Sequence, residues 1–322
     1  MIFVPRPRRH GSGLVRSAPV TTGPPYVLRG PLALSRATVD RAAHRRTDEG
    51  WLARAWADPR SQVLVVADGR VAADDEGLRV VPPAAAPEGE RYLLGVDGDG
   101  RVWFAVHTDR LPAGSGGAGL RELGAVLDDA RAGMVVHAIA LANWHRTHTH
   151  CPRCGGASRP EAAGHLRRCG TDGSEHFPRT DPAVIVAVVD DEGRCLLARG
   201  AGWPEGRFST LAGFVEPGEP LERAVAREVR EETGVELGAC WYAGSQPWPF
   251  PSSLMVGFYA QARSTNLAVD GVELVEARWF TREQLAAALR SGEVLMPPSV
   301  SIARRLVEGW YGGELPGGSA WR

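Results

Sequence analysis

Apolar positions along the chain change their spacing from region to region. From SQVLVV (61–66) through RYLLGVDGDGRVWFAV (91–106), short runs of Val, Leu, Phe and Tyr are broken by Asp-Gly turns. This predicts strands, with 97–100 as a hairpin loop. LPAGSGGAG (111–119) reads as a loop, and residues 120–147 take up a helical period through AGMVVHAIALANWH. A third region starts near Pro178: AVIVAVVD (183–190) and CLLARG (195–200) predict strands across an Asp-Glu-Gly turn. Residues 220–233 predict a helix that begins after Gly218 and stops at Gly234. SLMVGFYAQA (253–262) and EARWF (276–280) read as strands, TREQLAAALRSG as a helix capped by Thr281 and closed at Gly292, and SVSIARRLVEGW as a last helix. Alternating strands and helices indicate an α/β, mixed α+β class with a layered core. No internal repeat is visible in the residues.

Composition adds bounds. A chain of 322 residues, 43% of them hydrophobic, is long enough for two or three domains with a substantial core. The boundaries read as a poorly ordered Pro/Gly/Arg-rich segment 1–35, a β-rich domain 36–128, a helix with a cysteine-bearing ribbon 129–178, and an α/β domain 179–322. A formal charge of -1 removes any global bias toward nucleic acid or membrane. All 37 basic residues are arginine, a compositional sign of a GC-rich genome. The amino terminus has no apolar segment after its basic residues, and no run reaches the roughly eighteen residues of a membrane span, so a cytoplasmic protein is expected. Five cysteines in this length do not make a disulfide framework.

REVREETG (227–234) raises a chemical question, because it sets Glu228, Glu231 and Glu232 at helical spacings of three and four. Like charges so placed cost a helix about 0.2–0.5 kcal/mol per pair, which Arg227 and Arg230 offset only in part. A solvated charged face is the plain explanation. Upstream, however, GFVEPGEPLERAVA brings Glu216 and Glu219 to the same helix. Oxygen donors on a helix face and an adjoining loop suit Mg2+ or Mn2+, with a substrate supplying phosphate oxygens.

The whole stretch 213–235 follows one spacing: Gly213, five residues, Glu219, seven residues, then Arg227, Glu228, Val229, Glu231, Glu232, Gly234 and Val235. In this it resembles the Nudix hydrolases. The resemblance implies a Nudix α/β/α sandwich and hydrolysis of a nucleoside diphosphate linked to another group. It further implies Glu228, Glu231 and Glu232 as metal ligands and catalytic groups, Glu219 as a supporting or further ligand, and Arg227 orienting the glutamates. Which carboxylate serves as base is left open.

Downstream, SQPWPFPSS (245–253) holds three prolines among two aromatics. It reads as a rigid loop presenting Trp248 and Phe250, since proline disrupts a central strand. Proline-stiffened packing is one reading; stacking on a base or nicotinamide ring is the other. SQPWPFP after such a box resembles the NADH pyrophosphatase branch of the Nudix enzymes, and the likeness extends through NWHRTHTHCPRCG, FPRTDPAVIV and PPSVSIARRLVE. It implies NADH or NAD+ as substrate, with AMP and nicotinamide mononucleotide as products, and NAD-capped RNA as a further substrate. It also implies Glu273 as an added metal ligand with Glu276 close by, dinucleotide contacts from Phe214, Gln246, Trp248 and Phe177, and a homodimer with the site near its interface.

CPRCGG and RRCGTDGSEHF have the spacing of a zinc ribbon, but only Cys151, Cys154 and Cys169 are cysteines, and Asp172 stands where the fourth would be. Four ligands are the rule for structural Zn2+, and carboxylate oxygen is acceptable. The fourth donor is Asp172 or one of His148, His150, His165 and His176; without one the ribbon is held by packing. Cys195 and Cys240 read as buried and inert. Two other functions stay open: a Nudix hydrolase of another dinucleotide or a nucleotide sugar, and a catalytically silent nucleic-acid-binding regulator using the ribbon and its arginines. The β-rich domain is expected to serve packing and dimerisation.

Overall fold

The protein is described from a computed structural model covering residues 25–317, apart from 76, 125 and 270. Of the expected disordered segment, residues 1–24 lie outside the described residues.

The continuous apolar run of the third region is explained by its place between two layers. In strand Asp181–Val189, Val184, Val186 and Val188 face one core and Ile185, Ala187 and Val189 the other. The first core is closed by Ala224, Val225 and Val229 of helix Leu221–Thr233. The second is closed by helices Arg282–Ser291 and Ile302–Tyr311 through Leu285, Leu289, Leu306 and Trp310. A strand covered on both faces needs no polar alternation. This is the α/β/α sandwich.

Its sheet is mixed. Asp181–Val189 lies parallel to Ser253–Ala262 and antiparallel to Cys195–Gly200 and to Leu211–Phe214. Leu237–Trp248 pairs with Ser253–Ala262 at one edge, and Leu274–Phe280 with Cys195–Gly200 at the other. The expected loop at 245–253 is therefore corrected: Ser245, Gln246, Pro247 and Trp248 complete an edge strand, the one place in a sheet where proline is tolerated.

The amino-terminal sheet repeats this plan. Gln62–Ala67 lies parallel to Val102–His107 and antiparallel to Arg70–Asp74 and Val80–Val81. Glu90–Val96 pairs with Val102–His107, and Gly116–Ala118 with Arg70–Asp74. The expectation of no internal repeat is thus corrected at the level of topology, since strand pairing can recur without recurring residues. Between Val80–Val81 and Glu90–Val96 stands the short 3-10 turn Pro83–Ala85, where the other sheet has helix Leu221–Thr233.

The helix expected over 120–147 is two: Leu120–Leu123, and Asp129–Thr147 begun by Asp128, whose carboxylate accepts from the Arg131 amide. The longer one packs Met134, Val135, Ile139 and Ala142 against Leu64, Tyr92, Leu94 and Ala105 of the first sheet. It then leads into a three-stranded ribbon of Ser158–Glu161, Leu166–Cys169 and Glu175–His176. Buried histidines tie the ribbon to helix and sheet: His145 Nε2 of the helix donates to the Gly164 carbonyl at 2.8 Å, and His165 Nε2 to the Leu93 carbonyl at 2.8 Å. Val300, Trp248 and Phe250 pack on the first core and so join the two large units.

Candidate active site

Helix Leu221–Thr233 buries Ala224, Val225 and Val229 on the sheet, and the same face carries Glu228 and Glu232 one turn apart. Glu231 points outward and is more exposed. Gly234, at φ 74°, ends the helix in a left-handed cap that its residue type allows. Arg227 binds the acids from one side. Its guanidinium grips Glu219 with two hydrogen bonds of 2.8 Å and donates to Glu228 at 2.9 Å, Glu231 at 3.2 Å and the Phe214 carbonyl at 2.9 Å. Arg227 holds the Glu219 carboxyl below its usual pKa. Glu228 moves the other way: burial raises its pKa, the Arg227 guanidinium opposes this, and the charges of Glu231 and Glu273 add to it.

Gly213 explains the first position of the motif. A Cβ built there would fall 2.0 Å from the Glu228 carboxyl carbon. The carboxylate occupies space that any other residue would fill.

One guanidinium among four acids leaves the group anionic, and carboxylate oxygens are the donor set of hard divalent cations. The chemistry of these donors suits Mg2+ or Mn2+, although among the described residues no three of the glutamates bring oxygens within 4.8 Å of one another. Glu232 and Glu273 line a cavity of about 620 Å³, together with Trp248, Trp203, Thr210 and Arg121. Trp248 and Phe250 touch ring to ring, tilted by 58° with centroids 4.8 Å apart.

Other expected contacts lie elsewhere. Gln246 is fully buried and donates to the Val300 carbonyl at 2.9 Å, outside the cavity lining, because an inward edge-strand position turns it into the core. Glu276 pairs with Arg199 across neighbouring strands at 3.2 Å, also outside that lining. Phe214 and Phe177 stand in solvent, 60% and 68% exposed.

In the ribbon, one donor atom each from Cys151, Cys154, Cys169 and Asp172 lies within 4.8 Å of all the others, the one such group among the described residues. Cys154 and Cys169 sulfurs are 3.5 Å apart, and Cys151 sulfur is 3.8 Å from an Asp172 oxygen. A tetrahedral zinc with sulfur ligands has edges of about 3.8 Å. The Ser174 hydroxyl and amide hold Asp172 in place at 2.6 and 2.9 Å and depress its pKa. The Ser174 hydroxyl and backbone amides lower the Cys151 thiol to about 6, favouring thiolate. The candidate histidines are engaged otherwise: His165 at Leu93, His148 at the Trp144 carbonyl, His150 at Thr149, and His176 at Ser174. The donor set fits zinc with Asp172 as fourth ligand. Cys195 and Cys240 are buried and unpaired.

Three family models match in order: an NADH pyrophosphatase-like rudimentary NUDIX domain over 53–144, an NADH pyrophosphatase zinc ribbon domain over 146–177, and a NUDIX domain over 179–297. An NAD-capped RNA hydrolase NudC from Mycobacterium bovis is 41% identical over 312 residues, 90% of this chain and 97% of that protein. The chain belongs to the NADH pyrophosphatase branch of the Nudix hydrolases. The human NAD-capped RNA hydrolase NUDT12 is 43% identical over 196 residues, 57% of this chain and 42% of its own. A NUDIX hydrolase crystal structure from Nitrosomonas europaea aligns at a TM-score of 0.39 and 22% identity, covering 54% of this chain and 96% of its own.

Sequence reasoning missed part of this Nudix site. Arg121 reaches the cavity from the amino-terminal domain, to which no chemistry was assigned. Trp203, in the Gly- and Pro-rich AGWPEG, had the better signal: a large aromatic in a turn-rich stretch.

Proposed function

We propose that this chain hydrolyses the diphosphate of NADH or NAD+ to nicotinamide mononucleotide and AMP, and removes NAD caps from RNA 5′ ends at the same site. The observation behind this is that Glu232 and Glu273 share one cavity with Trp248 of the SQPWPFP motif. Acids and stacking surface thus meet where a dinucleotide has room for both its diphosphate and a flat ring. Relatives that match over nearly the whole chain are NAD-capped RNA hydrolases.

In this reading Glu228, Glu231, Glu232 and Glu273 would hold Mg2+ or Mn2+, which would supply positive charge to neutralise the diphosphate and acidify the attacking water. Arg227 fixes Glu219, Glu228 and Glu231 by hydrogen bonds, so the carboxylates need not reorganise during reaction. A water oxygen attacks one phosphorus, the bridging oxygen leaves with the other phosphate, and the water's proton passes to a carboxylate and on to solvent. Trp248 stacks on the ring of the substrate. Zn2+ on Cys151, Cys154, Cys169 and Asp172 is structural. The exposed Phe177 and Phe214 offer apolar surface to a second copy, in keeping with a homodimer. No helix among the described residues is long and apolar enough to cross a membrane, and the five cysteines are free, in keeping with a cytoplasmic enzyme.

The test is incubation of purified protein with NADH and Mg2+ or Mn2+, products resolved by chromatography beside Glu231→Gln. AMP and reduced nicotinamide mononucleotide, lost in the variant, are expected. Intact NADH with either metal overturns the reading.

A further inference from the structure

Arg121 lines two cavities. One is the 620 Å³ cavity of the carboxylates; the other, of about 440 Å³, lies behind Phe250 and is walled mainly by the amino-terminal domain. The second is rich in guanidinium. It contains Arg70, Arg121 and Arg146 with the acids Asp68 and Glu122. Arg70 is spent on Glu122, at 3.1 Å, and on the Gly117 carbonyl. Neither Arg121 nor Arg146 has a carboxylate within salt-bridge distance among the described residues, so two unpaired cations face one remaining acid. Arg121 instead lies over aromatic rings, its guanidinium carbon 4.6 Å from the Phe250 centroid and 5.8 Å from that of Trp248. Stacked guanidinium keeps its edge N–H groups for phosphate.

By contrast, the arginines around the ribbon are engaged. Arg168 pairs with Glu161 and Glu175, Arg159 with Glu161, and Arg179 with Asp181, while Arg167 is buried on Ser158 and His145. Of the arginines outside these pairs, Arg121 and Arg146 line the cavity beside the carboxylates, whereas Arg153 of the ribbon stands in solvent.

We propose that the second cavity binds the phosphodiester and first nucleotide that follow the cap of an RNA substrate, with Arg121 at the junction and Arg146 contacting phosphate. This rests on the NAD-cap reading above. An RNA that begins with NAD continues from the adenosine ribose, so its chain must leave the first cavity through a wall. The wall at Arg121 opens onto cations and an aromatic ring, the pairing that single-stranded nucleic acid uses.

The experiment compares kcat/KM for NADH, NADPH and a short 5′-NAD-capped RNA, using intact protein and Arg146→Ala, with Arg146→Lys as a charge-preserving control. Arg146→Ala should leave NADH cleavage unchanged and lower kcat/KM for capped RNA about tenfold, mostly through KM. The salt slope for capped RNA should become shallower by about 0.7, the share of one single-strand phosphate contact, and Lys should restore most of both. Equal losses on NADH and RNA, or none on RNA, overturn the proposal while leaving the cap reading in place. A loss on NADPH alone reassigns the cavity to a ribose 2′-phosphate and also overturns it. If unaltered protein cleaves NADH but not capped RNA, the cap reading falls and the proposal with it.

Discussion

The two large sheets share a pairing scheme and differ most in one connection. After Leu211–Phe214 the carboxyl-terminal sheet sends out the helix with Glu228, Glu231 and Glu232; after Val80–Val81 the amino-terminal sheet makes the turn Pro83–Ala85 and goes straight to its edge strand. The strands before the connection differ to match. Gly213 lies opposite Val184, on the face covered by helix Leu221–Thr233, and leaves room for the Glu228 carboxyl, whereas in the other sheet Val80 lies opposite Leu64 and packs on the core of helix Asp129–Thr147. The sheet alone is therefore a frame. In the proposed reaction, chemistry resides in the inserted helix and the glycine that receives it, while the sheet without them lends Arg121 to its neighbour's cavity.

Removing one ligand from the inserted helix gives the largest expected effect. Glu231→Gln should lower turnover at least about 100-fold with an unchanged melting temperature, because Glu231 is exposed and holds no core contact. Near-normal turnover would remove the chemical distinction between the sheets. Gly213→Ala should cost about 10–100-fold in activity by displacing Glu228, measured as kcat and as metal dependence. Val80→Gly, in the corresponding strand of the other sheet, should leave the rate alone and cost about 1 kcal/mol of stability by denaturant titration.

These contrasts were unevenly legible in the sequence. The catalytic helix and its cap were readable because Glu219, Arg227, Glu228, Glu231 and Glu232 obey a spacing that solvation alone does not require, and the buried strand at 183–190 because β-branched residues run without a break. The paired topology was hidden, since no residue of Val80–Val81 or Pro83–Ala85 resembles its counterpart. Pro247 was misleading: proline excludes a central strand, and only the sheet order reveals that Leu237–Trp248 is at an edge. Gln246 was placed at the substrate by motif likeness, while strand alternation turned it inward. Arg121 gave no signal because its role comes from two domains touching.

The joints between units respond to smaller changes. Trp248→Ala should raise KM for NADH about tenfold through lost stacking while metal affinity holds, and an unchanged KM would confine Trp248 to packing on the first core. Cys151→Ser, or a strong chelator, should lower the melting temperature by about 5 °C or more if zinc closes the ribbon. An unaltered curve, with no zinc in the purified protein, would mean that packing and the Ser174 hydrogen bonds hold it.

The last contrast concerns protons. Every histidine in the chain falls at or before His176, so the catalytic sheet has none. Burial holds His145 and His165 down at about 4, and holds His137 well below its usual value. Arg41, Arg46 and Arg167 push the same way, while Glu90 opposes them at His145. An unfolded histidine takes its proton near pH 6.5 and His145 and His165 do not until about 4, so the unfolded state binds more protons throughout that interval. Stability from these groups is complete above about pH 6.5 and falls as pH drops toward 4. Glu228 has the opposite sign, because a raised carboxyl pKa makes protonation favour the folded state. Hydrogen exchange followed from pH 7.5 to 4.5 should therefore show amides of strand Gln62–Ala67 losing protection before those of strand Asp181–Val189. Zinc release could loosen the ribbon over the same range, so the decisive variant is His137→Gln, which removes a titrating group that bonds the Leu94 carbonyl from helix Asp129–Thr147, outside the ribbon, and should flatten the pH dependence in the first sheet. Parallel loss in both sheets, unaffected by that substitution, would show that the histidine joint does not set the weaker sheet's stability.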